Sequence, residues 1–170
     1  MQGWIQFYAV TGAAAATLMG LLFVAVSVNL VAAFDHGPTG SRRHIEQAFE
    51  NYLAVLMVSL IELVPNLDLT RRGCITLAVT AGWSIWVVRR LFQAMGEPSA
   101  QETAVVAIRR HLPTLIGFGL LVSAAAYTII TRRGASNLTA VSIVILLFSA
   151  TSKAWTFLDR LAQRAVGEKR

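Results

Sequence analysis

The sequence predicts an all-α fold, a polytopic bundle of about five transmembrane helices, with four spans as the alternative. Of its 170 residues, 55% are hydrophobic and only 14% are charged, whereas water-soluble domains carry about 25% charged residues. The first charged residue is Asp35, which follows thirty-four uncharged residues. A soluble domain of this length needs a charged surface, so composition and spacing both indicate helices in a lipid bilayer.

The first span is predicted from about Trp4 to Phe34. An α-helix rises about 1.5 Å per residue, so about 20 apolar residues cross the roughly 30 Å hydrocarbon core. Val31-Ala32-Ala33 resembles a signal cleavage site, but the basic start of a signal is missing and the apolar run exceeds the roughly 7–15 residues of a signal. We therefore expect this segment to be the first membrane helix.

Four further apolar segments predict spans over residues 48–64, 73–92, 111–131 and 135–152. Pro65 ends the second span. The third span is the shortest because Arg72 and Arg89 flank it, and their long side chains are expected to reach toward the headgroups. If this segment does not cross the bilayer, four spans remain.

The distribution of basic residues predicts an external N-terminus and a cytoplasmic C-terminus. With that orientation, four basic residues face outward: Arg71, Arg72, Arg132 and Arg133. Eleven face inward: Arg42, Arg43, Arg89, Arg90, Arg109, Arg110, Lys153, Arg160, Arg164, Lys169 and Arg170. An excess of Lys and Arg on the cytoplasmic side is the general rule for such proteins.

A short motif recurs along the chain. Thr70-Arg71-Arg72-Gly73 precedes the third span, and Thr131-Arg132-Arg133-Gly134 precedes the fifth span 61 residues later. The recurrence indicates either two repeated helical hairpins, as in some transporters, or reuse of one helix-start signal.

Residues 153–170 are predicted to form a cytoplasmic, amphipathic and basic tail. Trp155 lies on the apolar side of this helix, and Arg160 and Arg164 lie away from it. Such a helix suits the interface of an anionic inner leaflet, where tryptophan and basic side chains both contact lipid. Docking of a partner protein is the alternative for this tail.

Small residues recur at every fourth position of the first helix, at Gly12, Ala16 and Gly20. Small residues at this spacing let another helix approach closely, because packing drives the association of helices in lipid. The stripe predicts packing within the bundle of one chain or an interface between chains.

Polar residues within the first two spans are candidates for a pore or a polar intramembrane site. Ser27 and Asn29 lie near the inner end of the first helix, where an amide facing lipid would be costly. Glu50, beside Asn51 in an amphipathic helix start, would form a cation-attracting ring in an oligomer. Hydrogen bonding between helices is the alternative for Ser27 and Asn29, and a solvated helix start is the alternative for Glu50.

Glu62 is a further candidate for the polar site, because it is the carboxylate inside an otherwise apolar stretch. An ionisable group at membrane depth indicates a functional site by default. Since Pro65 follows closely, we expect Glu62 near the outer interface, where an arginine such as Arg71 or Arg132 would pair with it.

No residue pattern indicates catalysis, a metal site or a cofactor, so an enzyme is not expected. The three histidines are scattered and Cys74 is the single cysteine, without the spacing of metal ligands. Neither a phosphate-binding glycine loop nor a nucleophile elbow occurs. The net charge of +6 comes from arginine pairs beside apolar runs, which does not favour nucleic-acid binding.

The segment from Gly12 to Leu30, GAAAATLMGLLFVAVSVNL, resembles the opening of small bacterial multi-helix membrane proteins. Some of those proteins carry the label of modulator of the FtsH membrane protease. The resemblance implies a multi-pass location in a bacterial inner (plasma) membrane. It supplies no motif whose functional residues can be carried over to this chain.

Two functions agree with these observations. The first is a homo-oligomeric channel-like or transport-like protein, because a chain this short is expected to assemble around an axis. The second is a regulatory or accessory subunit, such as a protease modulator, that binds another membrane protein. Polar side chains that converge on one axis would favour the first, and scattered ones the second.

Overall fold

The computed structural model describes residues 2–28, 41–95 and 104–167. Within these ranges the chain forms five helices and no strand: α1 (Gln2–Val28), α2 (Ser41–Leu63), α3 (Leu69–Met95), α4 (Ala104–Thr131) and α5 (Ser136–Gly167). The predicted all-α class is confirmed for this part of the chain. Asn29 and the predicted end of the first span, residues 29–34, lie outside it, as do the side chains of Arg160 and Arg164.

Three of the five helices are long and apolar enough to cross a membrane, over Gly3–Val28, Leu112–Thr131 and Ser136–Asp159. Helix α2 is not among them because Glu46, Glu50 and Glu62 leave it only a short uncharged run. The apolar part of α3 is likewise confined between Arg72 and Arg89. Helices compatible with a membrane are thus confirmed, and five crossings remain a prediction.

The helices pack in the order α1, α2, α5, α4, α3, with smaller contacts between α2 and α3 and between α1 and α5. Short connections, residues 64–68 and 132–135, make α2–α3 and α4–α5 antiparallel hairpins. We call the end with these connections the hairpin end, and the opposite end, where α2 begins and α3 ends, the far end. The start of α1 lies at the hairpin end, where the Tyr8 hydroxyl donates to the Ser136 carbonyl at 3.5 Å.

Close contacts between helices occur at two glycines, where the absence of a side chain leaves room for the neighbouring helix. A Cβ atom added at Gly117 of α4 would lie 2.7 Å from Leu146 of α5, and one added at Gly12 of α1 would lie 3.1 Å from the Cβ of Ser59 of α2. Gly117 therefore sets the approach of α4 and α5. Gly12 does the same for α1 and α2.

The recurring Thr-Arg-Arg-Gly motif occupies different positions in the two hairpins. Residues 70–73 lie within the first turns of α3, whereas Arg132 to Gly134 lie in the connection before α5. Arg132 also has a positive φ of 52°, a conformation that ends α4. The two copies are not equivalent parts of a repeated fold, although both lie at the hairpin end.

Helix α5 runs without a break through the predicted boundary between residues 152 and 153. The predicted tail therefore begins as a direct continuation of the last span. The final turns of this helix extend beyond the apolar run because charged residues can continue a helix outside lipid.

Candidate functional site

A buried polar network joins three helices in the half of the bundle nearer the far end. Asn51 of α2, Thr114 of α4, and Ser149 and Lys153 of α5 are all at most 6% exposed. The Lys153 Nζ donates to Thr114 Oγ1 at 2.6 Å. The amide Nδ2 of Asn51 lies 3.1 Å from Thr114 Oγ1 and 3.3 Å from Ser149 Oγ, so one side chain connects all three helices.

The capacity of the Thr114 hydroxyl fixes the direction of the remaining bond. A hydroxyl accepts two hydrogen bonds and donates one, and Lys153 and Asn51 use both acceptor positions. The contact of 3.0 Å between Thr114 and Ser149 is therefore a bond that Thr114 donates. Thr114 is thus the centre of the network, and its loss would affect all three partners.

Lys153 brings a cationic group into the interior of a helix bundle. An ammonium group there is costly to desolvate, and ionisable residues inside membrane bundles mark functional sites by default. The sequence pattern placed Lys153 among the inner flanking charges, yet its side chain is only 6% exposed. Ser142, Ser149 and Lys153 recur at spacings of seven and four, and that spacing is the signal that places them on one face.

A second polar site lies at the hairpin end around Glu62 and Arg72. The Arg72 Nη1 lies 3.5 Å from Glu62 Oε2, and Nη2 donates to the Val64 carbonyl at 3.4 Å. The predicted ion pair of Glu62 exists, but its partner is Arg72 rather than Arg71 or Arg132. Successive helical residues point about 100° apart, so Arg72 faces α2 while Arg71 is exposed.

A cavity of about 40 Å³ adjoins this ion pair. Its lining comes from four helices and the α4–α5 connection: Glu62, Leu69, Arg72, Gly73, Thr76, Ala124, Ala125, Thr128, Gly134, Ala135, Ser136 and Thr139. Among the described residues, neither Arg72 Nε nor Thr76 Oγ1 has a hydrogen-bond partner, although both atoms are buried. The cavity is therefore a polar site with unused donor capacity.

An apolar layer separates the network from the cavity. It consists of Val55 of α2, Phe118 and Leu121 of α4, and Leu146 of α5, each at most 2% exposed. All four belong to one continuous hydrophobic cluster. Within the described residues, this layer of apolar side chains lies between the Lys153 network and the cavity.

The described residues among those predicted for a pore lie apart within a single chain. Ser27 is exposed on α1, and its hydroxyl donates to the Phe23 carbonyl of the same helix at 2.8 Å. Glu50 is half-buried on α2, one residue before Asn51. Glu62 is twelve residues further along α2 and belongs to the cavity at the other end. Asn29 lies outside the described residues.

The predicted small-residue stripe divides between two faces of α1. Gly12 is buried against α2, together with Ala15, whereas Ala16 and Gly20 are exposed and nothing lies within 4 Å of a Cβ atom added at Gly20. Ala9 and Ala13 are exposed too. Within one chain, α1 therefore packs through a neighbouring face, and its exposed face remains rich in small residues.

The predicted lipid-interface residue Trp155 is 72% exposed on α5. It lies toward the far end, two residues beyond the buried Lys153. In the part of the chain that the structure covers, no three His, Cys, Asp or Glu side chains group as a metal site would require.

Comparison with protein families, with curated proteins and with solved structures finds no match to this chain. A function for this chain is therefore inferred from the Lys153 network and the cavity at the hairpin end.

Proposed function

We propose that this chain is a non-enzymatic, multi-pass membrane protein that conducts or transports an ion or a small polar solute as a homo-oligomer. The observation that carries the proposal is the Lys153 network. Its members come from α2, α4 and α5 and bury a cation among side-chain oxygen and nitrogen atoms. A helix bundle stabilised only by packing has no need for an ammonium group at that position.

The free-energy cost of burying a charge supports a functional role for the network. Replacing buried ionic groups with apolar residues of similar shape is often neutral or stabilising, by about 1–4 kcal/mol. Stability alone therefore does not favour a buried lysine in this position. We infer instead that Lys153 supplies a positive charge that acts on a solute or ion.

An oligomer is proposed because the polar residues of one chain do not line a single path. The exposed face of α1 supplies a surface for assembly, since Ala9, Ala13, Ala16 and Gly20 would let a neighbouring helix approach closely. Ser27 lies on the same face, seven residues after Gly20. In such an assembly Ser27 would face a neighbouring chain rather than lipid.

The proposed location is a bacterial inner membrane, with the hairpin end outside and the far end in the cytoplasm. The resemblance of the first helix supports this location, and the excess of basic residues in the segments predicted to face inward supports this orientation. Trp155 and the basic residues after it would then contact an anionic inner leaflet. Removing the buried Lys153 from the inner count still leaves ten basic residues against four outside.

Ion flux from liposomes tests the proposal. Purified protein is reconstituted, and release of K⁺, Na⁺, Cl⁻ or protons is compared with release from empty liposomes. We expect flux above this baseline, and we expect Lys153→Met to change its rate or selectivity because the substitution keeps the length of the side chain and removes its charge.

Arg89→Gln is the matched control, because it removes a positive charge from an exposed position on α3. Equal flux from Lys153→Met and the unmodified protein would exclude the network from conduction. Baseline flux for every ion would refute ion conduction altogether.

A regulatory or accessory subunit is the second candidate, and the exposed small-residue face of α1 favours it. The same face that would join identical chains would also accept a helix of a different membrane protein, such as a protease. Two results would support this function over transport. The first is a purified monomer that gives no flux above the baseline, and the second is recovery of the chain together with a larger membrane complex.

A further inference from the structure

The cavity at the hairpin end has the features of an anion site. It lies where α3 and α5 begin, and the first residues of both helices, Leu69 and Ser136, line it. The amide of Arg72 bonds to the Asp68 carbonyl at 2.8 Å, and that of Thr139 bonds to the Ala135 carbonyl at 3.0 Å. These are the first bonds of each helix, so the earlier amides have no partner within their helix.

Two helix N-termini at one cavity create a positive potential. Each helix end carries the equivalent of roughly half a positive charge, and helix N-termini are common binding sites for anions. Both helices are long, with 27 residues in α3 and 32 in α5. The field therefore favours a negative group between them.

The charged side chains reinforce this field. Arg72 lines the cavity, Arg71 precedes it, and Arg132 and Arg133 directly precede the lining residue Gly134. Glu62 opposes them from within the cavity lining, and Asp68 opposes them from the α2–α3 connection. The four arginines leave an excess of two positive charges at this end.

Two buried donors in the cavity wall have capacity for a ligand. Thr76 is 4% exposed and its hydroxyl has no partner among the described residues, and the same holds for the buried Nε of Arg72. A buried hydroxyl or guanidinium N–H without a partner has lost its hydrogen bonds to water without replacement, which is unfavourable in free energy. A ligand oxygen that accepts from either group would recover that free energy.

We propose that this cavity binds a phosphate group, as found in a phospholipid headgroup or in dissolved inorganic phosphate. A cavity of about 40 Å³ has room for roughly three to four water-sized groups, which is close to the four oxygens of one phosphate and too small for a sugar or a base. The Arg72 guanidinium provides the planar donor group that matches phosphate geometry. Glu62 lies 3.5 Å from the same guanidinium and is the negative charge that a bound phosphate would oppose.

Binding of two probes to lipid-free protein in detergent tests the proposal and separates the two sources. The first probe is inorganic phosphate, titrated at constant ionic strength against chloride. The second is a short-chain phosphatidylglycerol, titrated below its micellar concentration. Binding is followed by ³¹P line broadening and by the shift in melting temperature, with saturation at millimolar or lower concentration expected for at least one probe.

Charge variants of the ion pair give opposite expected results. Arg72→Gln should weaken binding by roughly tenfold or more, because it removes charge-assisted hydrogen bonds. Glu62→Gln should strengthen binding, because it removes the negative charge that opposes the ligand. The double variant retains a neutral pair, which distinguishes lost binding from misfolding caused by one unpaired charge.

Two further variants locate the site. Thr76→Val keeps the shape of the cavity wall and should weaken binding by roughly fivefold through one lost hydrogen bond. Arg89→Gln, an exposed arginine at the other end of α3, should leave binding unchanged. Saturable binding of inorganic phosphate alone would identify a dissolved anion as the ligand, and binding of the lipid alone would identify a headgroup.

Absence of saturable binding by both probes would overturn the proposal, as would binding that is unaffected by Arg72→Gln. These outcomes do not depend on flux measurements, so they test the phosphate site independently of the proposed transport function.

Discussion

Replacing Thr114 with valine removes the centre of the Lys153 network while keeping the shape of the side chain. Thr114 Oγ1 accepts from Lys153 at 2.6 Å and from Asn51 at 3.1 Å, and it donates to Ser149 at 3.0 Å. Because the residue is 3% exposed, water cannot readily take the place of the lost hydroxyl. The substitution therefore removes three interactions between helices at once.

The expected loss of stability is about 3–4 kcal/mol. A hydrogen bond to a charged group contributes about 1.5–3 kcal/mol, and neutral bonds between membrane helices average about 0.6 kcal/mol each. The bond from Lys153 is thus the largest contribution. If Lys153→Met is introduced first, Thr114→Val should cost at least about 1 kcal/mol less, since no ammonium group then loses a partner.

The assay is equilibrium unfolding in mixed micelles, followed by circular dichroism. Thr128→Val is the matched control, because Thr128 is also buried on α4 but its hydroxyl donates to Ala124 of its own helix at 2.9 Å. We expect this control to lose less than about 1 kcal/mol. Equal losses for the two threonines, or strict additivity with Lys153→Met, would refute the view that Thr114 stabilises a buried cation.

Two further predictions concern α1 and the orientation of the bundle. Gly12→Val should lower the free energy of unfolding by about 1–3 kcal/mol through overpacking against Ser59, and a stable Gly12→Val protein would contradict the described α1–α2 contact. Gly20→Val should leave the unfolding of one chain unchanged, but it should shift the mass of an oligomer measured by light scattering. After removal of the native cysteine, a cysteine at Asn66 should react with an impermeant maleimide in intact cells and one at Gln163 only after permeabilisation. The reverse pattern would show that the proposed orientation is wrong.

The end of a helix could be predicted from the sequence only where a residue such as proline prevents the helix from continuing. Pro65 placed the end of the second span near residue 64, and α2 ends at Leu63. The helices extend beyond the predicted spans where charged turns continue them, because the apolar run alone defines a span. Helix α4 begins at Ala104, before the span predicted from residue 111, and α5 continues to Gly167, beyond the span predicted to end at residue 152.

The polar sites could be predicted only in part, because burial depends on which faces meet. Glu62 was found from its apolar surroundings, and its pairing with an arginine follows from its place near the α2–α3 connection. Lys153 and Asn51 were interpreted as flanking or solvated groups, since both stand near charged residues in the sequence. Only the packing of α2 and α4 against α5 places them in the interior.

The two polar sites restrict the path that a solute could follow. Within one chain, movement between the phosphate cavity and the Lys153 network requires crossing the apolar layer, where buried apolar side chains strongly disfavour an ion. Such a path demands a second packing in which α4 and α5 separate, and Gly117 is where these helices now approach most closely among the glycine contacts. A path between identical chains requires no such change, because it would follow exposed faces such as the side of α1 that carries Ser27. The oligomeric state therefore decides whether the apolar layer acts as a gate that must open or as the permanent core of a channel subunit.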